Sequence, residues 1–166
     1  KPQIKVFIMR GLPGSGKSTY VKDMSKVFED LGIPVVVCSA DDSFLVWNSS
    51  AGKSTYQYDP AKLGEAHSEC KTKFAAALCN LCTLAIFVDN TNLSRKDIQP
   101  YIDEILYYSA DKDIEFSIIN VICPIDKCVA RNVHSVPRDV IYSMYQKMQR
   151  AQLPAEWKQI YHNSGG

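Results

Sequence analysis

The run Val6-Phe7-Ile8-Met9-Arg10-Gly11-Leu12-Pro13-Gly14-Ser15-Gly16-Lys17-Ser18-Thr19 constrains this chain more than any other feature. Apolar residues lead into a glycine-rich turn, and Lys17-Ser18-Thr19 then open a helical pattern. The order strand, turn, helix N-terminus matches G-x-x-x-x-G-K-[ST], a cradle for a nucleoside triphosphate. Glycine has no Cβ, so such a turn reaches positive φ and presses its amides against phosphate oxygens. Successive N–H groups form an anion nest, and the helix behind them adds the positive end of its dipole. Gly14, Ser15, Gly16, Lys17, Ser18 and Thr19 are therefore the expected triphosphate-binding set. Lys17 is expected to put its ammonium on the β- and γ-phosphates. Ser18 is expected to give its hydroxyl to Mg²⁺, an ion that keeps most of its waters and takes few protein ligands.

The rest of the chain repeats the strand–helix alternation. Ile4–Arg10 predicts a first strand, and Lys17–Leu31 a helix closed by Gly32 with Pro34 beyond it. Val35–Ser39 is a continuous apolar run, the pattern of a strand buried on both faces. A long polar and aromatic segment, Ala40–Asp59, follows. After Pro60, the positions Leu63, Ala66, Cys70, Phe74, Ala77 and Leu81 recur at helical spacing. Leu84–Val88 predicts a third strand, and Ser94 to Asp97 a capping-box start for a helix to Tyr108. Ile114–Cys123 predicts a fourth strand, with a short helix over 124–131. A last helix opens at Pro137, a favourable first position, and runs to Gln152. Repeated βα units argue an α/β fold: a parallel sheet with helices on both faces, one domain with a short lid. Residues 1–154 are the expected domain and 155–166 a C-terminal tail.

At 166 residues the chain is long enough for one full core. Its net charge of +1 is uneven. Residues 1–124 carry 13 Lys and Arg against 15 Asp and Glu, net −2, and residues 125–166 carry 6 against 3, net +3. That balance permits a polyanionic substrate without demanding one. No apolar run reaches membrane-spanning length and no signal-peptide pattern is present. The six cysteines lie mostly in apolar runs, which reads as free thiols in a reducing compartment, cytoplasm or nucleus. Cys79 and Cys82 have the spacing of half a zinc site, but no second pair completes it. The chain starts at Lys1 and ends Ser164-Gly165-Gly166, so it reads as a domain of a longer polypeptide, monomeric and without a membrane partner.

In parallel sheets, ligands sit beyond the carboxyl ends of the strands. The polar residues just past each strand are thus the chemical candidates: the glycine turn, Ser39-Ala40-Asp41-Asp42 and Asp89-Asn90-Thr91-Asn92. The chain lacks the D-x-x-G and N/T-K-x-D motifs of GTPase switches. Beside the strand-three Asp89 stands Asn90, not the glutamate that motor ATPases use to polarise water. A small phosphotransferase remains, in which a carboxylate takes the proton of an acceptor hydroxyl. Asp41 stands where such a base would, and equally where a turn-capping Asp would. Asp89, after Ile86-Phe87-Val88, is expected to bind Mg²⁺ through water or to hold Ser18. Arg131 and Arg138 flank a segment placed to close on the triphosphate as a lid, with His134 inside it. Gly52-Lys53-Ser54 has no buried strand ahead and is no second phosphate loop, although Lys53 is a candidate contact for a substrate phosphate. Asp42, Asn90 and Asn92 are further candidate substrate contacts. Phe44, Trp47, Tyr56 and Tyr58 either stack an acceptor base or pack the lid.

Four stretches occur in a telling order: Arg10 to Thr19, Ser39-Ala40-Asp41-Asp42, Asp89-Asn90-Thr91-Asn92-Leu93, and Arg131 to Arg138. Together they resemble the P-loop polynucleotide 5′-hydroxyl kinases. Val136 to Tyr145 is similar to the corresponding helix of the phage enzyme. Tyr56-Gln57-Tyr58-Asp59-Pro60 with Leu63 to His67 is closer to the kinase domain of the NEDD4-binding protein 2 family. The opening strand and loop are also similar to the N-terminal domain of the myelin cyclic-nucleotide phosphodiesterase. The resemblance implies transfer of the γ-phosphate of ATP or GTP, with Mg²⁺, to the 5′-hydroxyl of RNA or DNA, as in nucleic-acid end repair. It puts the general base on Asp41 and the phosphoryl-clamping lid arginine on Arg131. The chain departs from the pattern at Phe44, where the phage enzyme carries an acceptor-binding arginine, and in a shorter lid where His134 or Arg138 would serve. Two other functions remain: a nucleoside or small-metabolite kinase on the same fold, and a non-catalytic nucleotide- or RNA-binding module of a larger repair protein.

Overall fold

Strand β1 (Gln3–Arg10) runs up the middle of a parallel sheet, and its alternation sorts the core into two layers. The computed structural model describes residues 2–132 and 136–165. His134 lies outside the described residues. Around β1 stand β2 (Val35–Cys38), β5 (Leu84–Val88), β6 (Asp113–Ile122) and β7 (Gln159–Asn163), in the order β2-β5-β1-β6-β7. Each neighbouring pair is parallel. Ile4, Val6 and Ile8 point to one face, where helices α2 (Leu63–Leu78) and α3 (Arg95–Tyr108) bring Cys70, Phe74, Ile98 and Tyr101. Met9 and the half-buried Phe7 point to the other face, against Val21 and Phe28 of α1 (Lys17–Asp30). Period-two alternation thus places one helix layer on each side of the sheet. Strand β5, with neighbours on both edges, is buried at every position, as a central parallel strand should be.

Two short helices, α4 (Ile125–Ala130) and α5 (Arg138–Arg150), form a third cluster over the carboxyl ends of the strands. There Leu12 of the glycine turn and Leu93 pack with Cys128 and Ile141. The functional edge is therefore roofed by its own small apolar core.

Three expectations change. The Val35–Ser39 run, expected to be buried on both faces, is an edge strand in which Val35, Val36 and Val37 are half-buried. It is apolar because helices cover both of its faces. Its outer edge is blunted by Lys73, whose Nζ donates to the Val37 carbonyl at 2.7 Å. The segment after it folds into a 3₁₀ turn (Ala40–Phe44) and a hairpin of β3 (Leu45–Asn48) and β4 (Lys53–Tyr56). Gly52 takes φ 65° in the hairpin turn, which explains the misleading Gly52-Lys53-Ser54. The expected tail, 155–166, carries Trp157, only 6% exposed, and then β7. Its edge position and polar sequence hide β7 from a hydrophobic pattern, yet it completes the sheet. No helix among the described residues is long and apolar enough to cross a membrane.

All six cysteines are free. Burial pushes the Cys38 thiol up to about 12 and the Cys128 thiol up to about 11, while Cys79 and Cys82 are exposed. Since the thiolate is the nucleophile, iodoacetamide at neutral pH should modify Cys79 and Cys82 in the native protein and reach Cys38, Cys70 and Cys128 only on unfolding. Mass spectrometry of the labelled peptides reads this. Equal labelling of Cys38 would mean that the edge strand is not packed as described.

Candidate active site

The glycine turn is held from three sides. Gly11 N–H donates to the Thr91 carbonyl at 3.0 Å, tying the turn to the loop after β5. Within the turn, Ser15 N–H donates to the Leu12 carbonyl at 3.0 Å. Helix α4 backs it closely: a Cβ on Gly14, which sits at φ +79°, would lie 2.2 Å from the Cys128 carbonyl oxygen. The C-terminal segment adds a third prop, since Ser164 Oγ donates to the Ser15 carbonyl. The Ser15 hydroxyl itself is buried and has no hydrogen-bond partner among the described residues.

Lys17 opens α1 and is only 9% exposed. Its Nζ donates to the Leu12 carbonyl at 2.9 Å, folding the ammonium across the turn. Burial pushes its pKa down, and the charges of Asp89 and then Asp41 hold it up. Ser18, next in the helix, donates through Oγ to Asp89 Oδ2 at 2.9 Å. Burial raises the Asp89 carboxyl, while the Lys17 charge and the Ser18 hydrogen bond lower it. Lys17, Ser18 and Asp89 are thus brought together, and Asp41 shares their field. Thr19 is exposed in the first turn of α1. The donors fit the groups expected there: main-chain amides, an ammonium and a spare buried hydroxyl suit phosphate, and a hydroxyl–carboxylate pair of hard oxygens suits Mg²⁺.

Asp41 lies in the 3₁₀ turn after β2 and is exposed. The cap of that turn is Ser39, whose Oγ accepts from Asp41 N–H at 3.2 Å. A capping duty therefore does not explain the Asp41 carboxylate. Tyr56 Oη instead donates to Asp41 Oδ1 at 3.1 Å from β4. The Tyr56 phenol is pushed up to about 12, first by burial and then by the Asp41 charge and hydrogen bond, so it remains a donor at neutral pH. The sequence placed Tyr56 among packing or stacking aromatics and did not show this contact. A long segment between them hides a pairing 15 residues apart.

Several expected substrate contacts turn out to hold the scaffold. Asn90 Oδ1 accepts from Ala40 N–H at 2.9 Å, and its Nδ2 lies 3.5 Å from both Cys70 Sγ and Tyr101 Oη. Its amide is spent on fixing the Asp41 loop to β5. Asn92, 4% exposed at φ 47°, donates from Nδ2 to the Met9 carbonyl at 2.7 Å. It clamps the end of β1. Asp42 lies 4.0 Å from Lys73 on α2. Lys53 pairs with Asn48 near the hairpin turn, and strand alternation puts it on the face opposite Tyr56. Arg138, first in α5, stacks on Tyr142 at 5.6 Å, and Tyr142 Oη donates to Asp126 Oδ1 at 3.2 Å. None of its contacts among the described residues reaches the glycine turn. Arg131 closes α4 and its Nη1 lies 3.6 Å from Cys123 Sγ.

Arg10 was not among the expected site residues. It is 9% exposed and donates to Asn120 Oδ1 at 3.0 Å, to the Leu93 carbonyl at 2.7 Å and to the Met148 carbonyl at 3.4 Å. One guanidinium thereby joins β6, the loop after β5 and the end of α5. An arginine ending an apolar strand was the available signal.

The AAA domain family model (AAA_33) matches residues 6–152. Human NEDD4-binding protein 2 is 28% identical over 150 residues, 86% of this chain and 8% of that protein. The L-seryl-tRNA(Sec) kinase of Methanococcus maripaludis is 26% identical over 151 residues, 86% of this chain and 51% of that protein. The chain thus spans about half or less of these relatives. Among solved structures, the Mycobacterium tuberculosis APS kinase CysC in complex with AMPPNP and APS superposes with TM-score 0.61 at 16% identity. That match covers 97% of this chain and 90% of the other. A fungal RNA kinase superposes with TM-score 0.57 at 14% identity, covering 97% and 75%. The architecture is shared with these kinase structures.

The backing of the turn by α4 can be tested with two glycines that both have positive φ. Gly52 has open space around it, whereas Gly14 faces the Cys128 backbone. Gly52→Ala should cost about 1 kcal/mol of strain, and Gly14→Ala clearly more, by urea unfolding. Equal losses would contradict the contact between α4 and the turn.

Proposed function

The chain belongs to the AAA domain family, and from that premise we propose that it transfers the γ-phosphoryl group of ATP or GTP to the 5′-hydroxyl end of an RNA or DNA strand. The observation that carries this reading is a carboxylate, Asp41, held by Tyr56 in the same electrostatic field as Lys17 and Asp89. A triphosphate cradle facing an oriented carboxylate is the equipment for moving a phosphoryl group to an alcohol.

In this reading the main-chain amides of Gly14, Gly16, Lys17 and Ser18 and the Lys17 ammonium take the triphosphate. Lys17 exchanges the Leu12 carbonyl for phosphate oxygens, and the neutralised tail leaves more readily. Ser18 and Asp89 would hold Mg²⁺, which offsets charge on the phosphates when bound. Asp41 takes the proton from the acceptor hydroxyl as its oxygen attacks, with Tyr56 fixing the carboxylate. Arg131, at the end of α4, meets the charge that develops on the transferred group.

The polynucleotide acceptor is supported by the motif order and by the hairpin, and the seryl-tRNA kinase relative is named for a substrate carried on RNA. Tyr56 and Ser54 share one face of β4, and Trp47, opposite Ser54 in the register, lies on that same face. Trp47 is 64% exposed, so its indole is available to stack a terminal nucleobase. Phe44, in contrast, is 3% exposed against Tyr56 and Tyr58, and packs. That buried Phe44, where the phage enzyme has an arginine, favours a second reading, a kinase of a nucleoside or small metabolite.

The test is γ-labelled ATP or GTP with 5′-hydroxyl RNA and DNA oligonucleotides beside nucleosides and sugars. Label should appear on oligonucleotide 5′ ends. Asp41→Asn should lower kcat by about 10²–10⁴-fold, the usual span for a general base, and leave nucleotide affinity nearly unchanged. Label on nucleosides or sugars alone would replace the polynucleotide reading with the second one. Loss of nucleotide binding along with transfer would make Asp41 a structural residue.

A further inference from the structure

A cavity of about 400 Å³ opens between α2, α3 and α5, lined by His67, Lys71, Thr91, Lys96, Tyr101 and Lys147 among others. None of these residues except Thr91 and Tyr101 touches the machinery described above. Its charge is unusual for a chain of net charge +1. Three lysines from three different helices face it with one carboxylate, Asp97. That carboxylate is committed to the α3 cap, accepting from Ser94 N–H at 3.2 Å and Ser94 Oγ at 3.1 Å. Its ion pair with Lys147 is long, at 4.0 Å. Lys71 and Lys96 have no acidic partner among the described residues. Like charges gathered in a concave site repel one another, and an anion relieves that repulsion.

The cavity adjoins the loops that carry Asp89 and Asp41. Thr91 belongs to the loop that follows Asp89 and Asn90, and its carbonyl holds Gly11. Tyr101 Oη lies 3.5 Å from Asn90 Nδ2, and Asn90 in turn holds Ala40, the neighbour of Asp41. Tyr101 and Asn90 therefore link the lining of the cavity to the Asp41 loop. Lysine is a mobile point charge without the fork geometry that reads a single phosphate. Lysines on separate helices above an aromatic and aliphatic floor of Tyr101, Val140 and Met144 suit an extended polyanion better than one compact anion.

We propose that this cavity binds the phosphodiester backbone of the acceptor strand behind its 5′ end, through Lys71, Lys96 and Lys147. The proposal rests on the polynucleotide reading above and says where the strand runs. Each lysine neutralises one backbone charge without reading sequence, so RNA and DNA are both held. A nucleoside is too short to reach the groove, which makes acceptor affinity grow with length.

The experiment measures binding of 3′-labelled, 5′-hydroxyl RNA and DNA oligonucleotides of two to twelve nucleotides by anisotropy across a salt series. The same acceptors are then used in the transfer assay. The wild type is set against Lys71→Ala/Lys96→Ala/Lys147→Ala and against Lys22→Ala/Lys26→Ala/Lys158→Ala, a control that removes the same charge from exposed positions elsewhere. The cavity variant should bind the longer strands at least about tenfold more weakly. Its slope of log affinity on log salt should be shallower by about 2, at roughly 0.7 per lost single-strand contact. Its KM should rise for the longer strands, while kcat on a nucleoside 3′-phosphate stays that of the wild type. Lysine-to-arginine changes at the three positions should restore the slope. A cavity variant indistinguishable from the control in slope and KM overturns the groove and leaves the kinase reading standing. Lysine-dependent binding without any transfer supports the groove and overturns the kinase reading. A wild type that binds no oligonucleotide overturns the groove as well.

Discussion

A single buried ammonium organises the upper edge of this sheet. Lys17 leaves water at the start of α1 and rests on the Leu12 carbonyl. Moving an ammonium from water into the protein costs several kcal/mol unless charges or hydrogen bonds compensate it. Here the compensation comes from Asp89 first and Asp41 second. The two carboxylates are presented by different strand ends, and the same cation feels the charge of both. In the proposed reaction that cation passes from the Leu12 carbonyl to a triphosphate tail.

The frame around it is built from amide and guanidinium clamps rather than ion pairs. Asn90 fastens the Asp41 loop to β5, Asn92 fastens the end of β1, and Arg10 joins three elements at once. Each lies at a strand end where backbone groups have run out of sheet partners. Hydrogen bonds there satisfy carbonyls and amides that burial would otherwise leave unpaired, at a cost of about 1–3 kcal/mol each. Part of the polar set beyond the strands thus holds the loops of the candidate site in place.

The architecture was legible in the chain because its signals are local and periodic. The glycine turn, the buried run Leu84–Val88 and the Ser94 capping box each carry their own boundary marks. What escaped was non-local. The edge strand β7 is polar and lacks a hydrophobic pattern, and the hairpin over 45–56 depends on a turn made by Asn48 and Gly52. At the site, Lys17, Ser18 and Asp89 could be grouped from motif spacing, and they meet. The burial of Asn92 and the facing of Lys53 are set by tertiary packing and leave no mark in motif spacing. The Tyr56–Asp41 bond and the lysine cavity join elements far apart in sequence, and neither leaves a motif.

The most direct test of the account is a crystal structure with a non-hydrolysable ATP analogue, Mg²⁺ and a short 5′-hydroxyl oligonucleotide. The account predicts that Lys17 Nζ leaves the Leu12 carbonyl for the β- and γ-phosphates, and that the terminal hydroxyl lies within hydrogen-bond reach of the Asp41 carboxylate. A bound analogue with Lys17 still on Leu12, or an acceptor end seated away from Asp41, would contradict it.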